Sequence, residues 1–353
     1  MRLRRAGEHA VGLNRSALLE IVGFMKNDID SKIKDLEESI LTAPNSFDLH
    51  DRLLWMYLED ESLYADPRRI NHILRCVRRF PRETVCRTPF VHINPRMSPD
   101  GFTAVEGEWL RQLSENPGDV KIALGVANFY CTKDLVKSIE ILRTIIEKDP
   151  TQAEVWLELG RYTTDPKERL RYLLEAERKG AIQPNLIVWI AKSAADACEH
   201  DIATKYATSL LNTVDCLWAE YGNKLDWPEK GKSLFFRAIE ETGNRSAASK
   251  LANAISEHAY YKHWGHTVLG LVALSREKLN EAIGHLKKSG SVSGDHRLSS
   301  YGPSMSLAEK LCAKKQWKDV AAYLRSCEQF WQDERLPIWI SMVDSQRMPD
   351  FYE

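Results

Sequence analysis

Prolines recur along the first half of the chain at a nearly constant interval, and this spacing restricts the fold more than any other feature. Each one follows an apolar run with helical periodicity. A helix rarely continues through proline, because proline lacks an N–H and its ring clashes with the preceding turn. Helix ends that recur every 33 to 37 residues predict one two-helix unit that is used repeatedly. These prolines are Pro44, Pro81, Pro117, Pro150 and Pro184.

The apolar residues between the prolines support this interpretation. In the stretch before Pro150, four aliphatic residues recur at the three- and four-residue spacing of one helix stripe. They are Ile139, Leu142, Ile145 and Ile146. We expect a helix here whose apolar stripe is buried against its neighbours.

Short motifs repeat in phase with the prolines. Six residues after Pro150 the chain reads Trp156-x2-Leu159-Gly160. Small residues at such positions let two helices approach closely, and a large aliphatic residue fills the space beside them. Two further copies are His266-x2-Leu269-Gly270-x2-Ala273 with Ala282-x3-Leu286, and Leu307-Ala308 with Val320, Leu324 and Cys327.

These motifs resemble those of the tetratricopeptide repeat (TPR) family. The resemblance covers roughly residues 30–335 and is strongest at 119–180 and 263–330. It implies an all-α fold, a right-handed α-α superhelix or TPR-like helical repeat solenoid, with about seven to nine helix pairs. The stretch from His266 to Trp331 is also similar to bacterial TPR proteins without assigned function, which favours a bacterial origin. The alternative is an all-α bundle in which these spacings coincide by chance.

Composition excludes several classes of protein. The net charge of −1 gives no global attraction to nucleic acid or to an acidic membrane. Seven scattered cysteines without C-x2-C pairs argue against a disulfide framework or a zinc ribbon, and they favour a reducing cytoplasm. No apolar run approaches the roughly 20 residues that span a bilayer, so we expect no membrane segment.

The chain divides into three predicted regions. Residues 1–24 are expected to be a disordered extension or the product of a misassigned start, because Met25 reads as a natural beginning. Residues 25–335 hold the repeats, with a possible hinge at 222–232 around Trp227-Pro228. Residues 336–353 are expected to form a capping helix and tail, because solenoids cover their open apolar ends.

Two motifs that could carry chemistry are weak. Gly231-Lys232-Ser233 resembles the end of a phosphate loop, but Asp226 stands where a glycine is needed and no strand precedes it. His263 and His266, close to His258, could share a helix face and bind zinc, but no third ligand is apparent, so packing is the preferred interpretation. We therefore expect no catalytic residue, no cofactor and no metal.

Arginines are concentrated between residues 68 and 87. Arg68, Arg75, Arg79 and Arg82, together with His72, follow one predicted helix stripe, and Arg69, Arg78 and Arg87 lie in the same segment. Guanidinium groups suit phosphates and carboxylates. The stripe is either a solvated face or a surface for an anionic partner. Interleaved aromatics are few, which disfavours stacking on single-stranded nucleic acid.

The TPR resemblance implies one more surface. In that family the first helix of each pair lines a groove that holds a peptide. Residues at the groove positions of this chain either line such a groove or pack against a neighbouring helix. The corresponding positions are Trp55, Ala127, Tyr130, Glu154, Leu157, Arg161, Trp264, Thr267 and Leu271.

The leading functional hypothesis is a non-catalytic scaffold or adaptor that binds a partner protein or peptide through this groove. The alternative is a regulatory binder of nucleic acid or another anionic ligand through the arginine stripe. A hydrolase is disfavoured because the sequence has no Ser-His-Asp, HExxH or paired-carboxylate motif.

Overall fold

A computed structural model describes residues 15–183, 185–221, 245–292 and 295–351, with side chains except at 15–28, 61, 214–221, 245–257 and 296. Within these ranges the chain forms sixteen α-helices, three short 3₁₀ helices and no strand. The all-α class expected from the sequence is therefore confirmed. Two compact units, Met1–Tyr162 and Thr163–Glu353, divide the chain.

The first unit contains seven α-helices, and each packs against the next along the chain. They are α1 (Arg15–Thr42), α2 (Phe47–Met56), α3 (Pro67–Arg79), α4 (Pro99–Glu115), α5 (Val120–Tyr130), α6 (Leu135–Lys148) and α7 (Ala153–Tyr162). The 3₁₀ helices are Glu61–Leu63, Thr84–Arg87 and Pro89–Val91. This sequential packing is the arrangement expected of helical repeats.

The second unit contains nine α-helices. They are α8 (Pro166–Arg178), α9 (Leu186–Asp196), α10 (His200–Tyr221), α11 (Arg245–Ser275), α12 (Leu279–Gly290), α13 (His296–Tyr301), α14 (Ser306–Ala313), α15 (Trp317–Cys327) and α16 (Arg335–Asp344). Helices α8 to α12 each contact the next, and α14 to α16 do the same.

Helix ends follow the spaced prolines. Four helices end two residues before one of them: α1 at Thr42, α3 at Arg79, α4 at Glu115 and α6 at Lys148. Pro184 lies outside the described residues. Aspartate side chains fix several helix starts by accepting a hydrogen bond from a first-turn N–H, as Asp66 does from Arg68 at the start of α3.

The repeated motifs lie where helices pack most closely. A Cβ added to Gly270 of α11 would collide with Leu307 of α14 and would lie 3.2 Å from the Cβ of His285 on α12. Ala282 and Leu286 of α12 are buried in the same apolar cluster. The glycine of this motif is therefore required by close helix approach.

Residues 81–98 contain no α-helix. They form two 3₁₀ helices, and Val85, Cys86, Val91 and Ile93 are buried in the core of the first unit. Asp295 caps the short helix α13 by accepting hydrogen bonds from the backbone N–H groups of Arg297 and Leu298.

The division of the chain into an extension, a repeat region and a cap remains a prediction. Residues 1–14 and the possible hinge at 222–232 lie outside the described residues, whereas 15–24 belong to α1. Helix α16 covers nearly the stretch expected for a cap, with Leu336, Trp339 and Val343 buried. No described helix contains a stretch that is both long and apolar enough to cross a membrane.

Leu142 tests the assignment of the buried stripe on α6. It is fully buried, whereas Val136 on the same helix is 68% exposed. Leu142→Ala should lower the free energy of unfolding by about 2–5 kcal/mol, through lost burial and the cavity left behind. Val136→Ala should change it by less than about 0.5 kcal/mol. Urea unfolding of both variants measures the difference, and equal effects would show that the stripe is assigned wrongly.

Candidate functional site

Helix α3 buries a wider face than the sequence predicted. Its buried residues include Arg69, His72 and Cys76, at the spacing of one stripe, beside Ile73 and Val77. The expectation that His72 belongs to an exposed arginine stripe is therefore wrong. Apolar and polar residues recur at the same helical spacing on α3, so the sequence alone does not show which residues are buried. Packing of α3 against α2 and α4 decides it.

Most arginines of the segment already have partners within the first unit. Four form ion pairs with carboxylates: Arg68 with Asp66 and Asp30, Arg78 with Glu108, Arg82 with Asp119, and Arg87 with Glu154. The Arg78 partner, Glu108, also accepts hydrogen bonds from Arg111 and Gln112. These guanidinium groups serve the structure, so Arg68 and Arg82 of the predicted stripe are not open to an anionic partner without giving up these contacts.

Arg69 is buried and has no carboxylate partner among the described residues. Its guanidinium donates hydrogen bonds to the backbone carbonyls of Tyr64 at 2.8 Å, Phe90 at 2.8 Å and His92 at 2.7 Å. It therefore ties the 3₁₀ segment after α3 to the helix itself.

Arg75 and Arg79 remain at the surface. Both are exposed, and neither has a carboxylate partner among the described residues. Arg79 donates a weak hydrogen bond to Asn45 at 3.3 Å, and its guanidinium lies 5.4 Å from the ring centroid of Phe80. An open depression of about 400 Å³ is lined by Asn71, Leu74, Arg75, Arg78 and Arg79. We call this set of five residues the α3 surface.

Two of the predicted groove residues of the first unit, Trp55 and Glu154, contact the chain's own residues 84–93. The ring of Phe90 meets Trp55 edge to face with centroids 5.4 Å apart, and Arg87 forms its ion pair with Glu154. Helix α5 contacts the 3₁₀ helix Thr84–Arg87. Trp55 nevertheless keeps 49% of its surface exposed.

Several predicted groove residues are buried and present no side chain to a partner. Ala127, Tyr130 and Leu157 lie in the interior of the first unit. The hydroxyl of Tyr130 donates to Glu106 at 2.7 Å, which fixes the ring. Arg161 is exposed and pairs with Glu158 at 2.7 Å.

In the second unit, Thr267 is buried, Leu271 packs against the apolar core, and the half-buried Trp264 lies against Tyr260 and His263. These three side chains therefore pack against neighbouring residues of the chain. For the exposed residues among the predicted groove positions, binding of a peptide remains a prediction.

His263 and His266 of α11 make hydrogen bonds in place of the zinc site that their spacing could have formed. Nδ1 of His263 lies 3.0 Å from the backbone carbonyl oxygen of Ser289, which can only accept, so Nδ1 carries the proton and donates it. Its Nε2 accepts a hydrogen bond from the backbone N–H of Ser304 at 2.9 Å. Both ring nitrogens of His263 are thus occupied. His266 instead faces His285, with 3.1 Å between their Nδ1 atoms. Gly231-Lys232-Ser233 lies outside the described residues.

One group of side chains was missed by the sequence reasoning. His50 of α2 and His72 and Cys76 of α3 are buried together in the first unit. The signal was present, since His72 and Cys76 are four residues apart on one helix face. It went unnoticed because His72 was assigned to the exposed stripe.

Comparisons with known proteins add little. No protein-family model and no curated protein matches the chain. Among solved structures, the crystal structure of the APC/C hetero-tetramer Cut9-Hcn1 has a TM-score of 0.25 and 14% sequence identity, covering 91% of this chain and 67% of that one. A likeness at this level carries no functional argument, so the TPR resemblance stays a prediction from the sequence.

Buried His263 predicts loss of stability in mild acid. Burial lowers its pKa from 6.5 to about 4. Between these values the unfolded chain binds the proton and the folded chain does not, so the free energy of unfolding falls as pH falls, by up to about 1.4 kcal/mol per pH unit. Urea unfolding between pH 7 and 4.5 should show a steeper loss for the wild type than for His263→Asn. Parallel curves would contradict the assignment.

Proposed function

We propose that the chain is a non-catalytic scaffold that binds another protein, and that an acidic segment of this partner docks on the α3 surface. The observation that carries the proposal is the open depression in which Arg75 and Arg79 have no carboxylate partner among the described residues. The half-buried Leu74 lines the same depression and adds an apolar contact. A guanidinium fork binds a carboxylate through two parallel hydrogen bonds, which favours aspartate and glutamate as ligands.

A protein partner suits this surface better than nucleic acid does. Duplex binders neutralise a series of phosphates, often six to ten, with lysine and arginine. Here most arginines between residues 68 and 87 are engaged within the chain, and the net charge is −1. Two available guanidinium groups beside a leucine match a short acidic and apolar peptide segment.

A non-catalytic role fits the chemistry of the described residues. Burial raises the pKa of the thiols of Cys312 and Cys327 to about 11 and 12, so these cysteines are poor nucleophiles at neutral pH. The six cysteines with described side chains are free thiols, which suits the cytoplasmic location proposed from the sequence.

Charge reversal on α3 tests the proposal. The probes are a fluorescent peptide of alternating glutamate and leucine, its glutamine counterpart, and a single-stranded RNA. We expect the wild type to bind the glutamate peptide, and Arg75→Glu or Arg79→Glu to weaken binding by about tenfold or more, because each removes a charge-assisted contact. Fluorescence anisotropy measures the affinities.

Lys121→Glu is the matched control. Lys121 is exposed in the first turn of α5, so this variant makes the same charge change in the same unit. It should change the affinity by less than about twofold, because Lys121 does not line the depression. An equal loss of affinity in all three variants would show that binding depends on the net charge of the chain and not on the α3 surface. Preference for RNA with a steep salt dependence would replace the protein partner with nucleic acid.

A further inference from the structure

Three metal-ligating side chains meet in the interior of the first unit. The Nδ1 atom of His50 lies 3.0 Å from Nε2 of His72 and 3.7 Å from Sγ of Cys76. All three ligand atoms lie within 4.8 Å of one another, and all three residues are buried. Two of them come from α3 and the third comes from α2.

The hydrogen bonds of His50 orient its lone pair. Its Nε2 lies 3.0 Å from the carbonyl oxygen of Pro44, which can only accept, so Nε2 carries the proton. The Nδ1 lone pair of the neutral ring therefore points towards His72 and Cys76. A ring N–H donated to a backbone carbonyl is the support that metal-binding histidines usually have.

The separations are close to those of a tetrahedral zinc site. With Zn–N bonds of about 2.0–2.1 Å and Zn–S bonds of about 2.3 Å, tetrahedral geometry places ligand atoms about 3.3–3.6 Å apart. The two distances from Nδ1 of His50, 3.0 and 3.7 Å, bracket this range. The third separation, between Nε2 of His72 and Sγ of Cys76, is at most 4.8 Å.

The surroundings also suit a structural ion. The ring of Phe80 meets His50 edge to face at 5.5 Å, which shields the cluster on one side. Asp51 follows His50 directly, and its Oδ1 is buried without a hydrogen-bond partner among the described residues.

We propose that Nδ1 of His50, Nε2 of His72 and Sγ of Cys76 bind one zinc ion, which links α2 to α3. Binding forms a Zn–S bond and breaks the S–H bond of Cys76, whose proton passes to solvent. The proton on Nε2 of His72 moves to Nδ1 through solvent exchange, so that Nε2 can donate its lone pair. No change of oxidation state is involved.

Cobalt substitution tests the proposal on the full chain. After removal of metal with EDTA, Co²⁺ should bind at one ion per chain. It should give the intense visible bands of a tetrahedral site and a sulfur-to-cobalt charge-transfer band in the near ultraviolet. Zn²⁺ should displace it and raise the thermal unfolding midpoint. Absence of one-to-one binding, or octahedral bands without sulfur ligation, would overturn the proposal.

Cysteine and histidine variants locate the ion. Cys76→Ser should abolish the charge-transfer band and weaken Zn²⁺ binding by about a hundredfold or more. Cys86→Ser is the matched control, because Cys86 is equally buried nearby in the same core but does not belong to the ligand group. It should keep the band.

His50→Gln provides a second ligand variant if Cys76→Ser does not fold, with circular dichroism as the check on folding. Loss of the band in His50→Gln supports the site. Retention of the band in both ligand variants, or its equal loss in Cys86→Ser, would overturn it.

Discussion

The burial of Arg69 is the interaction on which the first unit depends. Its hydrogen bonds to the backbone carbonyls of Phe90 and His92 hold residues 84–93 against α3, and the one to Tyr64 joins the segment before the helix. A buried guanidinium without these bonds would be strongly unfavourable. They also fix the rotation of α3 about its axis. Once Arg69 faces inward, His72 and Cys76 follow on the same stripe, and Arg75 and Arg79 must face outward.

This orientation gives α3 two separate faces. The inward face brings His72 and Cys76 to His50, and the outward face forms the α3 surface with its depression. The two proposals therefore rest on one structural feature but on different residues, and either could fail without the other. An ion that links α2 to α3 would hold the outward arginines in place without contacting them.

The sequence predicted the helical class and much of the packing correctly, because those features are local. Proline spacing marked four helix ends to within two residues, and the motif around Gly270 marked a close helix approach. Partners far apart in the chain could not be predicted in this way. Arg87 pairs with Glu154, 67 residues away, and no periodicity in either segment indicates it. The contact of Phe90 with Trp55 likewise joins segments that are far apart in the chain.

Arginine labelling tests the orientation of α3 most directly. The native full chain would be treated with phenylglyoxal under single-hit conditions, and the rate of modification at each arginine would be measured by mass spectrometry. The structure predicts rapid modification of Arg75 and Arg79, and protection of Arg69 until the chain unfolds. Modification of Arg69 at the rate of Arg75 in the native chain would contradict the account, because it would place the buried stripe of α3 at the surface.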